Sequence, residues 1–269
     1  MKKFIITTLG ALLLFALSAV TTVTIASASE PEENTYITDV NVLDQTLINH
    51  GFPERLVADL PLIQKEDLVN SGEIGEYVGA TTTTFDTNNR ISSVEDYTSL
   101  PKPLLKGTIN SMKVTQLVTK VPSTTGKDRF LLETVHQWTI SPVNRRTDVV
   151  GFAWDGNRFK LIPGSHKVVV GGNGQDGAAT YTSLNLYSSS FTGAGWSFPL
   201  PKSGTRPVVM TRINLEETKT GSGTSQFHSL YTHTKSGSGS IGLNFGILSV
   251  GFTGSVSNDQ RAVVKDFKY

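Results

Sequence analysis

The 269-residue chain contains no cysteine, and its charged side chains nearly cancel, to a formal net charge of +1. The missing thiols exclude disulfides, cysteine nucleophiles and cysteine metal sites. Near neutrality argues against a dedicated nucleic-acid-binding protein, whose affinity rests largely on neutralising phosphates. A chain of this length can bury enough apolar surface to fold without covalent cross-links.

Compact catalytic motifs are also missing, since the sequence has no G-x-S-x-G and no H-E-x-x-H. His228 and His233 are five residues apart, so a regular strand points them to opposite faces, where they cannot share a metal ion. His136 shares an apolar strand face, which favours a core histidine over a catalytic one. We therefore expect no metal and no cofactor, and a protein that is not an enzyme. A hydrolase with a dispersed triad is the alternative.

The glycine-rich segment 171–177 matches the sequence patterns of two binding motifs. From Gly172 it matches the dinucleotide fingerprint. That site needs a following helix and an acidic residue about 20 positions on, whereas no Asp or Glu occurs between Asp176 and Glu216. From Gly171 it matches a calcium-binding turn, which needs stacked repeats to complete its oxygen ligands. We predict a hairpin loop, with a lone calcium contact at Asp176 as the alternative.

The N-terminus has the pattern of an export signal. Two lysines precede an apolar segment over residues 4–20, which leads to Ala26-Ser27-Ala28. A basic start, an apolar centre and an A-x-A sequence are typical of a secretory signal peptide. We place cleavage after Ala28 and expect a secreted, extracellular protein. The alternative is an uncleaved membrane anchor, because the apolar segment approaches the length of a spanning helix.

The chain divides into a signal peptide (1–28), a polar N-terminal region with short helices and a linker (29–79), and a β-domain (80–269). Val40, Leu43 and Leu47 recur at helical spacing behind Asp39, a candidate N-cap. Glycines are spaced through residues 72–79, which predicts the linker. We expect the helices to cap the β-domain; the alternative is a propeptide or a partner-binding arm.

Residues 128–170 carry the clearest fold signal. Apolar side chains alternate along residues 130–140, with the period of a β-strand, and Pro142 ends this strand. Residues 149–154 and 158–162 flank Asp155-Gly156-Asn157, which predicts a hairpin within an antiparallel meander. Further strands are predicted at 81–85, 106–121, 166–170, 181–187, 208–215, 225–235, 238–257 and 261–267, with a loop over 86–103. The spacing favours a mainly β fold, an antiparallel β-sandwich with a small N-terminal helical element.

The same stretch is similar to a loose group of secreted proteins of Gram-positive bacteria. The likeness rests on Trp138, Pro142, Asp148 and the apolar residues 149–154, together with a histidine before a Ser/Gly-alternating strand near the C-terminus. It implies secretion and a β-rich fold, and it supplies no catalytic residues. An exported chain without cysteine fits such a source.

Residues 236–257 form an uncharged stretch with two rows of apolar residues. The apolar residues of the first row have odd residue numbers and those of the second row have even numbers. A tight turn or bulge near 247–248 is therefore needed to bring both rows to one face. This resembles the membrane-inserting hairpins of β-pore-forming toxins, although each apolar arm is nearer eight residues than the 9–11 of a membrane strand. We predict a core hairpin of the sandwich for this stretch, and membrane insertion is the alternative. The candidate inserting residues are Ile241, Leu243, Phe245, Leu248, Val250 and Phe252.

Four aromatic residues lie in a Ser/Gly-rich segment, namely Tyr181, Tyr187, Phe191 and Trp196. Aromatic faces between small polar residues form stacking platforms for ligands such as carbohydrates, and core aromatics have the same pattern. The leading function hypothesis is a secreted, non-enzymatic protein that binds a cell-envelope or extracellular component. The expected partners are a cell-wall polymer, a surface protein or a membrane lipid, and neither nucleic acid nor nucleotide. The alternative is a membrane-active, pore-forming or antibacterial β-hairpin protein.

Overall fold

Two antiparallel β-sheets are packed face to face, and three short helices cover the outer face of one of them. This confirms the predicted mainly β sandwich with an N-terminal helical element. The computed structural model describes residues 36–88, 90–97, 106–171, 182–183, 188–190, 192–201, 206–238, 241–244, 249–252 and 255–269. Tyr36–Tyr269 is one compact unit. Within the described ranges, no helix is both long and apolar enough to cross a membrane.

The helices are α1 (Val40–Asn49), α2 (Glu54–Asp59) and α3 (Leu62–Asn70). The first eight strands are β1 (Glu76–Phe85), β2 (Ile91–Asp96), β3 (Lys106–Gly107), β4 (Met112–Val121), β5 (Arg129–Trp138), β6 (Thr147–Trp154), β7 (Phe159–Leu161) and β8 (Lys167–Gly171). The remaining strands are β9 (Thr182–Ser183), β10 (Ser188–Ser190), β11 (Gly193–Pro199), β12 (Val208–Glu217), β13 (Thr224–Ser238), β14 (Ile241–Asn244), β15 (Ser249–Phe252) and β16 (Ser255–Lys268). Sheet 1 has the order β2-β1-β4-β5-β12-β8-β9, with β7 beside β12. Sheet 2 has the order β10-β11-β6-β13-β16-β3, and β14 pairs with β15 as a separate ribbon.

The main core lies between the two sheets. Alternate residues of the central strands point inward from both sides, as the strand period requires. The inward residues include Phe130, Leu132 and Trp138 of β5, Val150, Phe152 and Trp154 of β6, and Phe227 and Tyr231 of β13. The predicted inward face of residues 130–138 is therefore confirmed.

The helices bury a second apolar layer against the outer face of sheet 1. Asp39 caps α1, because its carboxylate accepts from the backbone N–H of Asn41 at 2.9 Å. Leu43 and Leu47 of α1 pack in one cluster with Leu117 of β4. In the fold, the helices therefore cap the β-domain.

The predicted meander is wrong. Arg158 and Phe159 close a turn on the carbonyl of Asp155 at 3.1 and 2.9 Å, as the local signal predicts. The flanking strands nevertheless belong to different sheets, since β6 pairs with β11 and β13 whereas β7 pairs with β12. A turn motif specifies the reversal of the chain, and the partners of each strand are chosen by long-range packing.

Four other boundaries differ from the prediction. The expected linker 72–79 is partly strand, because β1 starts at Glu76, and the expected loop 86–103 contains β2, which pairs with β1. The expected strand 106–121 is two strands, β3 in sheet 2 and β4 in sheet 1, with Ser111 at a φ of 52° between them. Strand β5 ends at Trp138, and Ile140 is 47% exposed because it lies beyond the residues paired with β4 and β12.

Candidate functional site

The uncharged stretch 236–257, here called the hairpin arm, connects the two longest strands of the molecule. β13 and β16 pair over their lengths, from Thr224 with Lys268 to Ser238 with Ser255. Beyond that point β14 and β15 form their own two-stranded ribbon, from Ile241 with Phe252 to Asn244 with Ser249. The hairpin arm is therefore the distal part of one long ribbon.

The pairing register is the same on both sides of the junction. Two residues separate Ser238 from Ile241, and two also separate Phe252 from Ser255. The register pairs Ile241 with Phe252 and Leu243 with Val250. Since directly opposite positions share a face, the register brings these four positions of the two predicted rows to one face of the ribbon.

Leu243 shows where this ribbon lies. It packs against Val149 and Leu230 on the outer face of sheet 2. Its side chain also fills the space that a Cβ atom on Gly195 would need, with the Leu243 Cγ 3.5 Å from that position. Gly195 of β11 pairs with Gly151 of β6, which pairs in turn with Leu230. We call this row of small residues beside Leu230 the glycine groove.

The contact shows that the hairpin arm is folded back. Leu243 comes thirteen positions after Leu230, so a straight ribbon would place them about 43 Å apart at about 3.3 Å per residue. Instead they are in the same cluster. The distal ribbon therefore reverses over the outer face of sheet 2, and Leu243 is the described side chain that holds it there.

The reversal begins at an irregular junction. The register of β13 against β16 shifts between Thr234 and Ser236, which marks a β-bulge. Gly237 follows with a φ of +101°, a conformation that only glycine adopts without strain. Arg146 fixes this glycine, because its Nη1 donates to the Gly237 carbonyl at 3.1 Å. We call residues 235–237 the hinge.

A buried aspartate ties β6 to β13 just before the hinge. Asp148 accepts from the Tyr231 hydroxyl at 2.7 Å, from His233 Nδ1 at 3.0 Å and from the Thr234 N–H at 3.0 Å. Burial raises the pKa of the Asp148 carboxyl, and the bond from His233 opposes that rise. Trp138 Nε1 adds a bond to the Tyr231 hydroxyl at 3.3 Å. This network anchors the base of the ribbon in the core.

Serine and histidine also meet in the core. Ser229 Oγ lies 3.5 Å from His136 Nε2, and His136 Nδ1 has no hydrogen-bond partner among the described residues. Burial lowers the pKa of His136 to about 3, so the imidazole stays neutral. Both residues are fully buried, as are Asp148 and Tyr231. These side chains are not accessible from the surface of the folded protein, and their contacts are those of a packed core. His228 and His233 lie on opposite faces of β13, as their spacing predicts.

Charged side chains are buried beneath α3 on the other side of the molecule. Asp67 of α3 pairs with Arg212 of β12 at 2.7 Å and also with Lys167. Glu133 of β5 is fully buried beside them, and neither of its carboxylate oxygens has a hydrogen-bond partner in the described chain. Burial, reinforced by Asp67, raises its pKa well above the ordinary value, against the effect of Arg212. Gln64 lies close by, outside hydrogen-bonding geometry.

The predicted aromatic platform is not formed by Trp196. Its side chain has 0% exposure and packs edge-on to Phe152 between the sheets, because β11 lies against β6 and points alternate residues inward. Tyr181, Tyr187 and Phe191 lie outside the described residues, as does the glycine-rich segment from Gly172 onward. Among the residues that are described, no cluster of His, Asp and Glu is arranged to hold a metal ion.

Of the predicted inserting residues, the structure places Leu243 in full and Ile241, Val250 and Phe252 by backbone pairing. Phe245 and Leu248 lie outside the described residues. The sequence interpretation missed Gly195, Arg146 and Gly237. A glycine inside a strand is a signal for close approach or a bulge, but neither Gly195 nor Gly237 lies in a strand that the sequence predicted. Nothing in the local sequence marks Arg146 as a partner of the hinge.

No family model and no curated protein matches this sequence. Among solved structures, the chain is similar to one titled "Pore forming protein", with a TM-score of 0.36 and 10% identity over 61% of this chain and 90% of the other. It is also similar to Clostridium perfringens delta-toxin, with a TM-score of 0.33 and 11% identity over 69% and 93% of the two chains. A third structure, titled "AvmM Catalyzes Macrocyclization in Alchivemycin A Biosynthesis", has a TM-score of 0.25 and 12% identity over 52% and 79%. At these values none of them shows a family or a function for this chain. The described residues define a two-sheet sandwich that carries a folded-back, uncharged ribbon.

Proposed function

We propose that the protein is exported and is membrane-active, and that it inserts the hairpin arm into a lipid bilayer. The observation that carries this proposal is the position of Leu243, seated in the glycine groove by a ribbon that would otherwise extend away from the sandwich. A core hairpin of the sandwich would instead pair within one of the two sheets, whereas among the described residues β14 and β15 pair only with each other.

The length of the hairpin arm supports insertion. With two residues taken by the turn, the 22 uncharged residues 236–257 leave about ten for each arm. A tilted strand needs about 9–11 residues to cross the hydrocarbon core. The apolar rows alone span about eight residues in each arm. The pairing register adds the small residues at the C-terminal end of β13 and the N-terminal end of β16.

The hairpin arm carries no charge that the bilayer would have to accept. Its β14–β15 pairs lie on one register with those of β13 and β16, so extension of the ribbon keeps these hydrogen bonds. A single ribbon has two unpaired edges, which are costly in hydrocarbon. Insertion therefore calls for several copies of this chain side by side, and membrane lipid is the envelope component that we propose as the target.

A disulfide across the glycine groove tests whether release of the hairpin arm is needed. The chain has no cysteine of its own, so Gly195→Cys with Leu243→Cys introduces a single pair. The sulfur of Leu243→Cys takes about the position of the Leu243 Cγ, which lies 3.5 Å from the Cβ position of residue 195, so the two cysteine side chains can reach each other. We expect the oxidised variant to release no dye from lipid vesicles and the reduced variant to release it.

The single variant Leu243→Cys is the matched control, and reductant should not change its dye release. Equal release by the oxidised and reduced double variants would contradict insertion of the hairpin arm, and absence of release by the native protein at every lipid composition would refute membrane activity. A second variant, Phe245→Asp with Phe252→Asp, should abolish release while circular dichroism shows the sandwich intact.

A further inference from the structure

The loop from β5 to β6, residues 139–146, exposes apolar side chains at the surface. Val143 is 95% exposed and Ile140 is 47% exposed, which makes Val143 the most exposed large apolar residue among the described ones. An apolar phase that covered both side chains would remove their exposed surface from water, which is favourable. We call this segment the apolar loop.

Positive charge accompanies these apolar residues. The apolar loop contains Arg145 and Arg146 and no acidic residue. Arg206 lies at the same edge, because the carbonyl of the next residue, Pro207, accepts from the Trp138 N–H at 2.9 Å where β5 ends. Arg145 donates to the Pro201 carbonyl and to Ser141 Oγ, which are uncharged acceptors. Apolar residues between arginines match a surface of acyl chains beneath anionic headgroups.

Arg146 connects this edge to the hinge. Its guanidinium is exposed, and its Nη1 donates to the carbonyl of Gly237 at 3.1 Å. A phosphate oxygen is a stronger acceptor for an arginine than a neutral carbonyl. A headgroup phosphate that takes this donor removes the side-chain contact that holds Gly237.

We infer that the apolar loop docks on an anionic lipid bilayer, with Val143 and Ile140 inserted between headgroups, and that a headgroup phosphate bound by Arg146 loosens the hinge. The inference rests on the proposed function, because it supplies the step that precedes insertion. In this inference Val143 docks on the bilayer, and Arg146 binds the phosphate of an anionic lipid and so couples docking to the hinge.

Docking is tested on the disulfide-locked variant Gly195→Cys/Leu243→Cys, which keeps the hairpin arm out of the bilayer. We expect it to co-sediment with vesicles that contain phosphatidylglycerol, and more weakly with phosphatidylcholine alone. Adding Val143→Asp should weaken this binding by about ten-fold or more, the value of one buried valine. Ile91→Asp is the matched control, because Ile91 is 50% exposed on the edge strand β2 and binding should not change. Equal binding by the Val143 variant would overturn the docking site, and equal binding to both vesicle types would overturn the anionic ligand.

Coupling is tested by the rate at which the reduced Cys pair cross-links, since this rate reports how often the hairpin arm occupies the glycine groove. Vesicles with phosphatidylglycerol should slow cross-linking several-fold in the parent. Arg146→Gln should remove this effect and Arg146→Lys should retain part of it. An unchanged vesicle effect in Arg146→Gln would overturn the coupling. If the native protein docks but releases no dye, the proposed function is rejected and the docking site is kept. If dye release is insensitive to Val143→Asp, the docking site is rejected and the proposed function is kept.

Discussion

Acidification should destabilise the sandwich through His136. Burial lowers the pKa of this histidine from 6.5 to about 3. The unfolded chain therefore takes up a proton below about pH 6.5, whereas the folded protein does not until about pH 3. The contribution is fully present above pH 6.5 and is lost as pH falls toward 3. At about 1.4 kcal/mol per pH unit, the loss is about 2 kcal/mol between pH 7 and pH 5 and about 5 kcal/mol in full.

Two buried carboxyls act in the opposite direction. The pKa values of Glu133 and Asp148 are raised by burial, so their contribution is present at low pH and is lost as pH rises above the unfolded value. These groups remain in a His136 variant. The difference in pH dependence between the native protein and His136→Gln therefore isolates the histidine.

The assay is urea unfolding, followed by tryptophan fluorescence, at pH 5 and pH 7. We expect the native protein to lose about 2 kcal/mol more than His136→Gln over this range, whatever the stability of the variant at pH 7. Parallel pH dependences for the native protein and His136→Gln would refute the assignment of a neutral, buried imidazole.

Two further changes test the buried charge and the hinge. Glu133→Gln should stabilise the protein above about pH 5 by about 1 kcal/mol or more, because it removes a carboxylate without hydrogen-bond partners, and the gain should shrink toward pH 4, where the unfolded side chain is itself protonated. Thermal unfolding across pH measures this, and a loss of stability at pH 7 would show that the charge is compensated. Gly237→Ala should destabilise by about 1–3 kcal/mol, since an added Cβ meets the backbone of Ser255 in a left-handed conformation. Gly164→Ala is the control for conformation alone, because Gly164 also has a positive φ of 77° and has open space around it; equal losses in both variants would reject the steric part of the reasoning.

Alternation along single strands predicted which face each residue uses. Phe130, Leu132 and Trp138 point into the core as their period requires, and His136 lies among them. The class of fold followed from the same signal together with the turn residues. These are local properties of the chain, and strand period and turn chemistry determine them.

Partner choice was not accessible from the sequence. β6 pairs with β11 and β13, which follow it by tens of residues, so the turn at Asp155 could not reveal that the chain changes sheets there. Trp196 has the same sequence surroundings whether it faces ligand or core, and only its place on β11 decides this.

The sequence predicted which residues form the candidate site, but not where the fold places them. The missing charge and the two apolar rows of residues 236–257 identified the hairpin arm. Its reversal depends on Gly195 and Gly151, which lie about 50 and 90 residues away from Leu243 and meet it through the sheet order. A leucine and a distant glycine carry no joint signal in a single sequence.

The shared register of the two ribbons has a kinetic consequence. Strands that must separate and find new partners pass a high barrier, and all-β rearrangements take milliseconds to seconds. Here the pairs on either side of the junction already belong to one register, so extension requires rotation near Gly237 and loss of the Leu243 contact. Motions of this size take nanoseconds to microseconds. Under the proposed function, release of the hairpin arm from the glycine groove is then faster than the encounter of separate copies on a membrane. The lag before dye leakage should accordingly depend on the amount of protein per unit area of membrane rather than on the unfolding rate of the sandwich.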